Sequence, residues 1–300
     1  MRWTAEGEMT ITSAFGVEGV ASYVTDMIRK LFTAAFLICM IAIPASAGQF
    51  EDAVAAYQQS NYETALGLFR PLADQGNATA QYFLGDMYGL GLGVPQNYVA
   101  AVKWYRSAAD QGYALGQNNL GAMYHKGRGV PQNYAEAVGW YRKAAEQGYA
   151  GAQNNLGEMY VEGLGVQRNY AESVKWFRKA ADQGDERAQF NLGVVYHYGH
   201  GLPKDFAEAV RWYRKAAEQG FAGAQNNIGT MYELGQGVPQ DYVQAHMWLN
   251  LAASRYPASD TKSRDMAVKN RDIVAARMIP AQVAEAQKLA REWKPAQEMK

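Results

Sequence analysis

The chain has 300 residues, 48% of them hydrophobic, with 29 basic and 29 acidic side chains and one cysteine. A net charge of zero draws neither nucleic acid nor an anionic membrane surface, and a lone cysteine cannot staple a small disulfide scaffold. Length and apolar content suit one elongated body as well as two globular ones, so the organisation has to come from pattern.

In chain order, residues 1–26 place four acids ahead of the basic pair Arg29-Lys30, and we read them as a non-native extension with translation starting at Met27. Residues 27–47 read as a signal peptide. Arg29 and Lys30 precede the apolar run Leu31–Ile43, which is followed by Pro44 and by Ala45-Ser46-Ala47. The run has 13 residues, short of the ~20 that a spanning helix needs. Cleavage after Ala47 would give a periplasmic or secreted chain starting at Gly48, with no stable membrane insertion. Cys39 would leave with the leader, and Leu37 and Ile38 before it are too large for a lipid-attachment site. Residues 48–77 read as one short helical hairpin, because Tyr57 and Tyr62 stand 5 apart where Tyr88 and Tyr98 stand 10 apart.

Five copies of one 36-residue unit fill residues 78–255, marked by Trp104, Trp140, Trp176, Trp212 and Trp248 at equal steps. Gly85, Gly121, Gly157, Gly193 and Gly229 keep the same step, as do Gln81, Gln117, Gln153, Gln189 and Gln225, so the copies run in register without insertions. Each copy predicts two helices. The first is legible in Ala150–Val161, where Ala152, Leu156, Met159 and Tyr160 recur at helical spacing before Gly163-Leu164-Gly165 ends the run. The second starts at an Asn or Asp cap with an acid three residues on, as in Asn133 with Glu136, Asn169 with Glu172 and Asp205 with Glu208. It closes at Gly112, Gly148, Gly184 or Gly220, where a left-handed cap costs least. In the closing segment 256–300, Asp260–Met278 and Pro280–Trp293 predict the last helices; Pro280 suits a first turn and Pro295 lies beyond the end.

These residues resemble the Sel1-like repeat family, whose unit reads approximately A-x-x-Q-x-x-L-G-x-x-Y-x-x-G-x-G-V-x-x-D/N-Y-x-x-A-x-x-W-x-x-K-A-A-x-Q-G. The hairpin 48–77 looks like a shorter tetratricopeptide-type opening repeat, and Ala245-His246-Met247-Trp248-Leu249 with residues 281–287 look like the closure found in many members. The resemblance implies an all-α fold, a right-handed α/α solenoid capped by C-terminal helices, that binds other proteins and whose first helices line a concave groove. A cysteine-rich branch of the family includes reported penicillin-binding proteins; a mature chain without cysteine lacks that branch's feature.

Candidate chemistry is sparse. His197 and His200 form an H-x-x-H pair, but zinc wants three or four ligands, and His125 lies two repeats away. No Ser-His-Asp or Cys-His combination has a context that singles it out. We expect no enzyme, no cofactor and no metal. The repeat template claims 12 of the 20 tyrosines and five of the seven tryptophans as core. Arg142, Arg178 and Arg214, each with an acid four residues on, predict self-neutralised i,i+4 pairs on a solvated face.

Numbering each copy from Ala78, Ala114, Ala150, Glu186 or Ala222, positions 3, 4, 7, 8, 10 and 11 of the first helix share one arc and repeat almost unchanged. Positions 2, 5, 6, 9, 12 and 13 share the opposite arc, which varies: position 9 is Asp86, Ala122, Glu158, Val194 and Thr230. Position 6 nevertheless keeps Asn119, Asn155, Asn191 and Asn227 after Phe83, and position 5 adds Asn118, Asn154 and Asn226. Such amides can pair with the backbone of an extended peptide, or each can bond to the neighbouring repeat; sequence leaves both open. The expected function is an exported protein-interaction scaffold or regulatory adaptor, monomeric, with a protein or peptide partner in the groove. The alternatives are a cell-wall-associated enzyme of penicillin-hydrolysing type and a glycan-binding module, the latter needing exposed aromatics such as Tyr82, Phe83, Phe190 and Tyr198.

Overall fold

The computed structural model describes residues 45–296 together with Arg2–Trp3 (β1) and Met9–Thr10 (β2), which pair antiparallel as a two-residue ribbon. The basic pair and apolar run of the expected signal peptide lie outside the described residues. Among those described, everything from Ala45 onward is helix or short connection. An opening hairpin of α1 (Ala45–Gln58) and α2 (Tyr62–Asp74) turns through Ser60, the one non-glycine residue with positive φ among the described residues. Five hairpins follow: α3 (Ala78–Leu90) and α4 (Tyr98–Asp110), α5 (Ala114–Lys126) and α6 (Tyr134–Glu146), α7 (Ala150–Glu162) and α8 (Tyr170–Asp182), α9 (Glu186–Tyr198) and α10 (Phe206–Glu218), α11 (Ala222–Leu234) and α12 (Tyr242–Arg255). Helices α13 (Thr261–Ala275) and α14 (Pro280–Glu292) close the stack. Each helix up to α13 packs on its chain neighbours and α14 packs back on α12, which makes the body an all-α repeat solenoid.

The hairpin is built by the residues that repeat. Every second helix in the five copies has an Asn or Asp cap, at Asn97, Asn133, Asn169, Asp205 and Asp241, whose side chain accepts the backbone N–H three residues on. The first glycine of each loop ends the first helix in the left-handed conformation, as at Gly163 with φ 72°. The second glycine serves a different purpose. A side chain at Gly165 would collide with the backbone of Tyr134, so each loop seats directly on the start of the previous copy's second helix.

Packing then follows three ladders. The glycine at position 8 lies under a ring of the second helix: a methyl added at Gly157 would stand 2.6 Å from Cε1 of Phe177, which is itself buried. Gln153 Nε2 donates to Ala145 O at 3.0 Å across the step between copies, and Gln183 donates to Gln153 Oε1 at 2.8 Å. The same pairs join Gln111 to Gln81, Gln147 to Gln117 and Gln219 to Gln189. In the fifth copy the partner position is Arg255, and the buried Oε1 of Gln225 has no partner.

The arginines behave differently from the expected i,i+4 pairing. Arg142 donates to Tyr160 Oη at 2.9 Å, Arg178 to Tyr196 at 2.5 Å and Arg214 to Tyr232 at 2.6 Å, each reaching into the next copy; Arg106 does the same to Tyr124. The phenol of the following first helix is within reach and holds the planar guanidinium fork between layers, whereas an acid one turn along the same helix lies out toward water. Lys143, Lys179 and Lys215 are exposed and fold over the indoles, with Nζ 3.9–4.3 Å from the ring centres of Trp140, Trp176 and Trp212.

The closing helices shield the apolar end. Trp293, just past α14, meets Trp248 edge-on at 6.1 Å and lies under the Arg255 guanidinium at 4.4 Å, while Val274 of α13 is buried with Ala245 and Leu249.

Candidate functional site

The first-helix face carries the residues that differ between copies, and the expectation that core packing leaves it free needs correction. Asp86, Asn154, Asn191, Val194 and Asn226 on this arc are all buried. Neighbouring first helices approach closely enough for their side chains to bridge, and that contact removes positions 5, 6 and 9 from water in several copies.

The asparagines are the bridges. Asn155 Nδ2 donates to Asn118 Oδ1 at 2.9 Å, and Asn191 Nδ2 to Asn154 Oδ1 at 2.8 Å, so position 6 of one copy bonds position 5 of the copy before it. Asn119 reaches back to Asp86 Oδ1 at 3.1 Å, Asn118 donates to Asn119 at 3.1 Å, and Asn226 donates to Asn227 at 3.3 Å. Glu158 gathers two donors, Asn154 at 3.0 Å and Asn191 at 3.2 Å. Burial divides the amides into two sets. Asn154, Asn191 and Asn226 are inside, whereas Asn118, Asn119, Asn155 and Asn227 are half-buried at the edge of the face.

The aromatic candidates also divide. Tyr82 and Phe83, expected in the open, are buried: Tyr82 packs on Tyr105 and Tyr113, and Phe83 stacks on Phe69 at 4.7 Å. The short opening hairpin presents Phe69 to this end of the face, so the first copy places aromatics where later copies place amides. Phe190 is half-buried between Tyr213 and Phe221. Tyr198 remains 42% exposed, its ring stacked on His197 at 4.6 Å. His200 stacks on Tyr170, and no group of three or more His, Cys, Asp or Glu able to hold a metal occurs among the described residues.

Two electrostatic features were not legible in the sequence. Asp86 accepts from the Tyr105 hydroxyl at 2.5 Å, yet its Oδ2 has no partner, and burial raises its carboxyl to about 6 against the opposing pull of Tyr105, Tyr82 and Asn119. Farther along, Lys126 and Glu162 occupy position 13 of adjacent copies. Burial, with Arg128 and Arg187 nearby, lowers Lys126 to about 8; burial and the neighbouring Glu158 raise Glu162 to about 7. The middle of the face is thus charged and mixed in sign, and its C-terminal part, with Tyr198 and Leu234 at the same position, is apolar.

The Sel1 repeat pattern matches residues 55–77, 78–113, 114–149, 150–185, 186–221 and 222–256, which covers the second half of the opening hairpin and all five full copies. Among solved structures, a protective antigen present in uropathogenic Escherichia coli strains and displaying this repeat fold is 33% identical with a TM-score of 0.70; the match covers 89% of this chain and 56% of the other, so this chain spans little more than half of it. A Sel1 repeat protein from Oxalobacter formigenes is 35% identical with a TM-score of 0.69, covering 81% of this chain and 96% of that one. Comparison with curated proteins gives no match. Ladder, loop and match coincide copy by copy, and the chain belongs to the Sel1 repeat family.

Proposed function

We propose that the chain is an exported, non-catalytic scaffold or adaptor that holds an extended segment of a protein partner along the concave first-helix face. One observation carries this reading. The copies repeat their glycine, glutamine and arginine–tyrosine contacts, while position 13 of the face changes from Leu90 to Lys126, Glu162, Tyr198 and Leu234. Packing between copies does not require that variety, and a partner with a matching sequence of charged and apolar groups would. The half-buried amides Asn118, Asn119, Asn155 and Asn227 would add hydrogen bonds to the partner's backbone, with Tyr198 and Phe190 as apolar contacts. The glycan-binding alternative has fewer platforms than expected, since Tyr82 and Phe83 are covered. Export rests on the leader-like segment 27–47, and a relative that acts as a protective antigen accords with it.

The test uses the chain from Gly48 as bait on an envelope extract. A partner retained by the wild type should be lost when Lys126→Glu and Glu162→Lys reverse the central charges, and kept when Lys175→Ala changes the outer face. Retention by all three baits would contradict a groove site. N-terminal sequencing of the native protein should give Gly48; Met27 retained would contradict export by this leader.

A further inference from the structure

The Sel1 match stops at residue 256, but the first-helix face does not. Asn155 bonds Asn118 and Asn191 bonds Asn154 at a separation of 37 residues, one repeat plus one. Beyond the fifth copy, Asn270 donates to Asn226 at 3.4 Å and Arg277 to Glu233 at 3.1 Å, both at a separation of 44. Two bonds with the same offset put α13 in the place of a sixth first helix, delayed by seven residues. Burial agrees: Ser263, Ala267 and Val274 share the packed arc. Lys262, Met266, Lys269 and Ile273 share an arc beside it, and all four are exposed, Met266 at 47% and Ile273 at 40%, while Asp265 and Asp272 take the arc directly opposite the packed one.

No structural reason accounts for this composition. Two large apolar side chains seven residues apart stand half-exposed on one helix face, and Leu234 at 52% exposure follows Glu233, the partner of Arg277 one turn beyond Ile273. Lys262 lies in the first turn of α13, next to the capping carboxylate of Asp260, whose side chain is engaged by the Ser263 backbone N–H. Arg277 is paired with Glu233, while Asp265 and Asp272 fall on the flank beside Arg264 and Arg271. Lys262, Met266, Lys269 and Ile273 thus form a stripe of cations and apolar groups, and the carboxylates nearest it, Asp265 and Glu233, are already ion-paired with Arg264 and Arg277.

We propose that this face of α13, with Leu234, docks an acidic amphipathic segment of a protein partner: bulky apolar side chains seat between Met266, Ile273 and Leu234, and flanking carboxylates meet Lys262 and Lys269. The proposal rests on the reading of the first-helix face as a binding groove and fixes the chemistry of one end of it.

A fluorescein-labelled synthetic peptide of alternating Glu and Leu would be titrated against the chain from Gly48 by fluorescence polarisation. Two control peptides would carry Lys for Glu or Ser for Leu. Binding of the Glu-Leu peptide should weaken about tenfold in Lys262→Glu with Lys269→Glu, and similarly in Met266→Ser with Ile273→Ser, and should weaken as salt is raised. Both controls should bind poorly. Equal binding of the Lys-Leu peptide, no binding of the Glu-Leu peptide, or unchanged affinity in both double variants would overturn the proposal. So would a dimer in sedimentation that Met266→Ser with Ile273→Ser dissolves, because the occupant would then be a second copy. The Lys126→Glu, Glu162→Lys variant separates the two readings. Loss of envelope partner in that variant, with peptide binding absent, sinks the α13 site and leaves the groove reading standing. All variants are at exposed or half-buried positions, and thermal melts near the wild-type value would confirm that they fold.

Discussion

The seam between copies and the first-helix face are built from the same helices yet obey different rules. Inside each of the first four copies a ring lies over a glycine and two glutamines pair, and along the seam a glutamine reaches the previous copy's backbone and an arginine the next copy's tyrosine. Across the face, successive copies place Leu90, Lys126, Glu162, Tyr198 and Leu234 at one position. Periodicity is what packing demands when every layer meets an identical layer. Its absence marks the surface where something other than the next copy sets the requirement.

The largest effect expected is on the repeating contacts. Gly157→Val puts methyl groups into the Phe177 ring and should cost about 3 kcal/mol, read as a lowered midpoint in urea. A cost no greater than that of a surface change would mean the hairpin is not close-packed there. Asp86→Asn should act in the opposite direction. The folded carboxyl titrates near 6 against 3.8 when unfolded, so its protonated form favours folding below about pH 4 and that advantage is lost as pH rises through 6. At pH 7.5 the ionised, half-satisfied group is a liability of about 3 kcal/mol at most. The variant should therefore raise Tm at neutral pH and lose the wild type's gain on acidification to pH 5; equal Tm-versus-pH slopes in the two proteins would contradict the assignment.

The amides sharpen the comparison, since they belong to both regions. Asn191→Ala removes a buried donor from Asn154 and Glu158 and should cost about 2 kcal/mol in chemical denaturation. Asn155→Ala, half-buried, should cost under about 1 kcal/mol and act on partner affinity instead. Reversal of that order would exchange the roles assigned to the two sets. The smallest effect belongs to Lys179→Ala, about 0.5 kcal/mol, because its ammonium lies over Trp176.

The helices, their caps and both closing helices were legible, since Asx caps, loop glycines and Pro280 act through local backbone chemistry that a sequence displays. Partnerships between copies were not. Arg142 has Glu146 one turn away in sequence and Tyr160 beside it only in space, so the nearer acid was a reasonable but mistaken partner. The asparagines are visible as a pattern, and sequence alone leaves inter-repeat bonding open beside ligand binding; the structure supplies those bonds, while ligand binding stands as a proposal. Burial of Tyr82 depends on Tyr105 and Tyr113, and neither spacing nor composition reports how closely first helices approach. The register of α13 was hidden by its seven-residue delay, which breaks the period that exposed every other first helix.

The central claim is that the varying face, and not the seam or the outer helices, meets the partner. Site-specific photocrosslinking tests it most directly, with a benzophenone amino acid placed singly at Glu162, Tyr198 and Leu234 on the face and at Lys103, Lys175 and Arg211 on the second helices. The account predicts that the first three give one discrete crosslinked species in the native envelope and the last three give none. Crosslinks confined to the second-helix positions would contradict it.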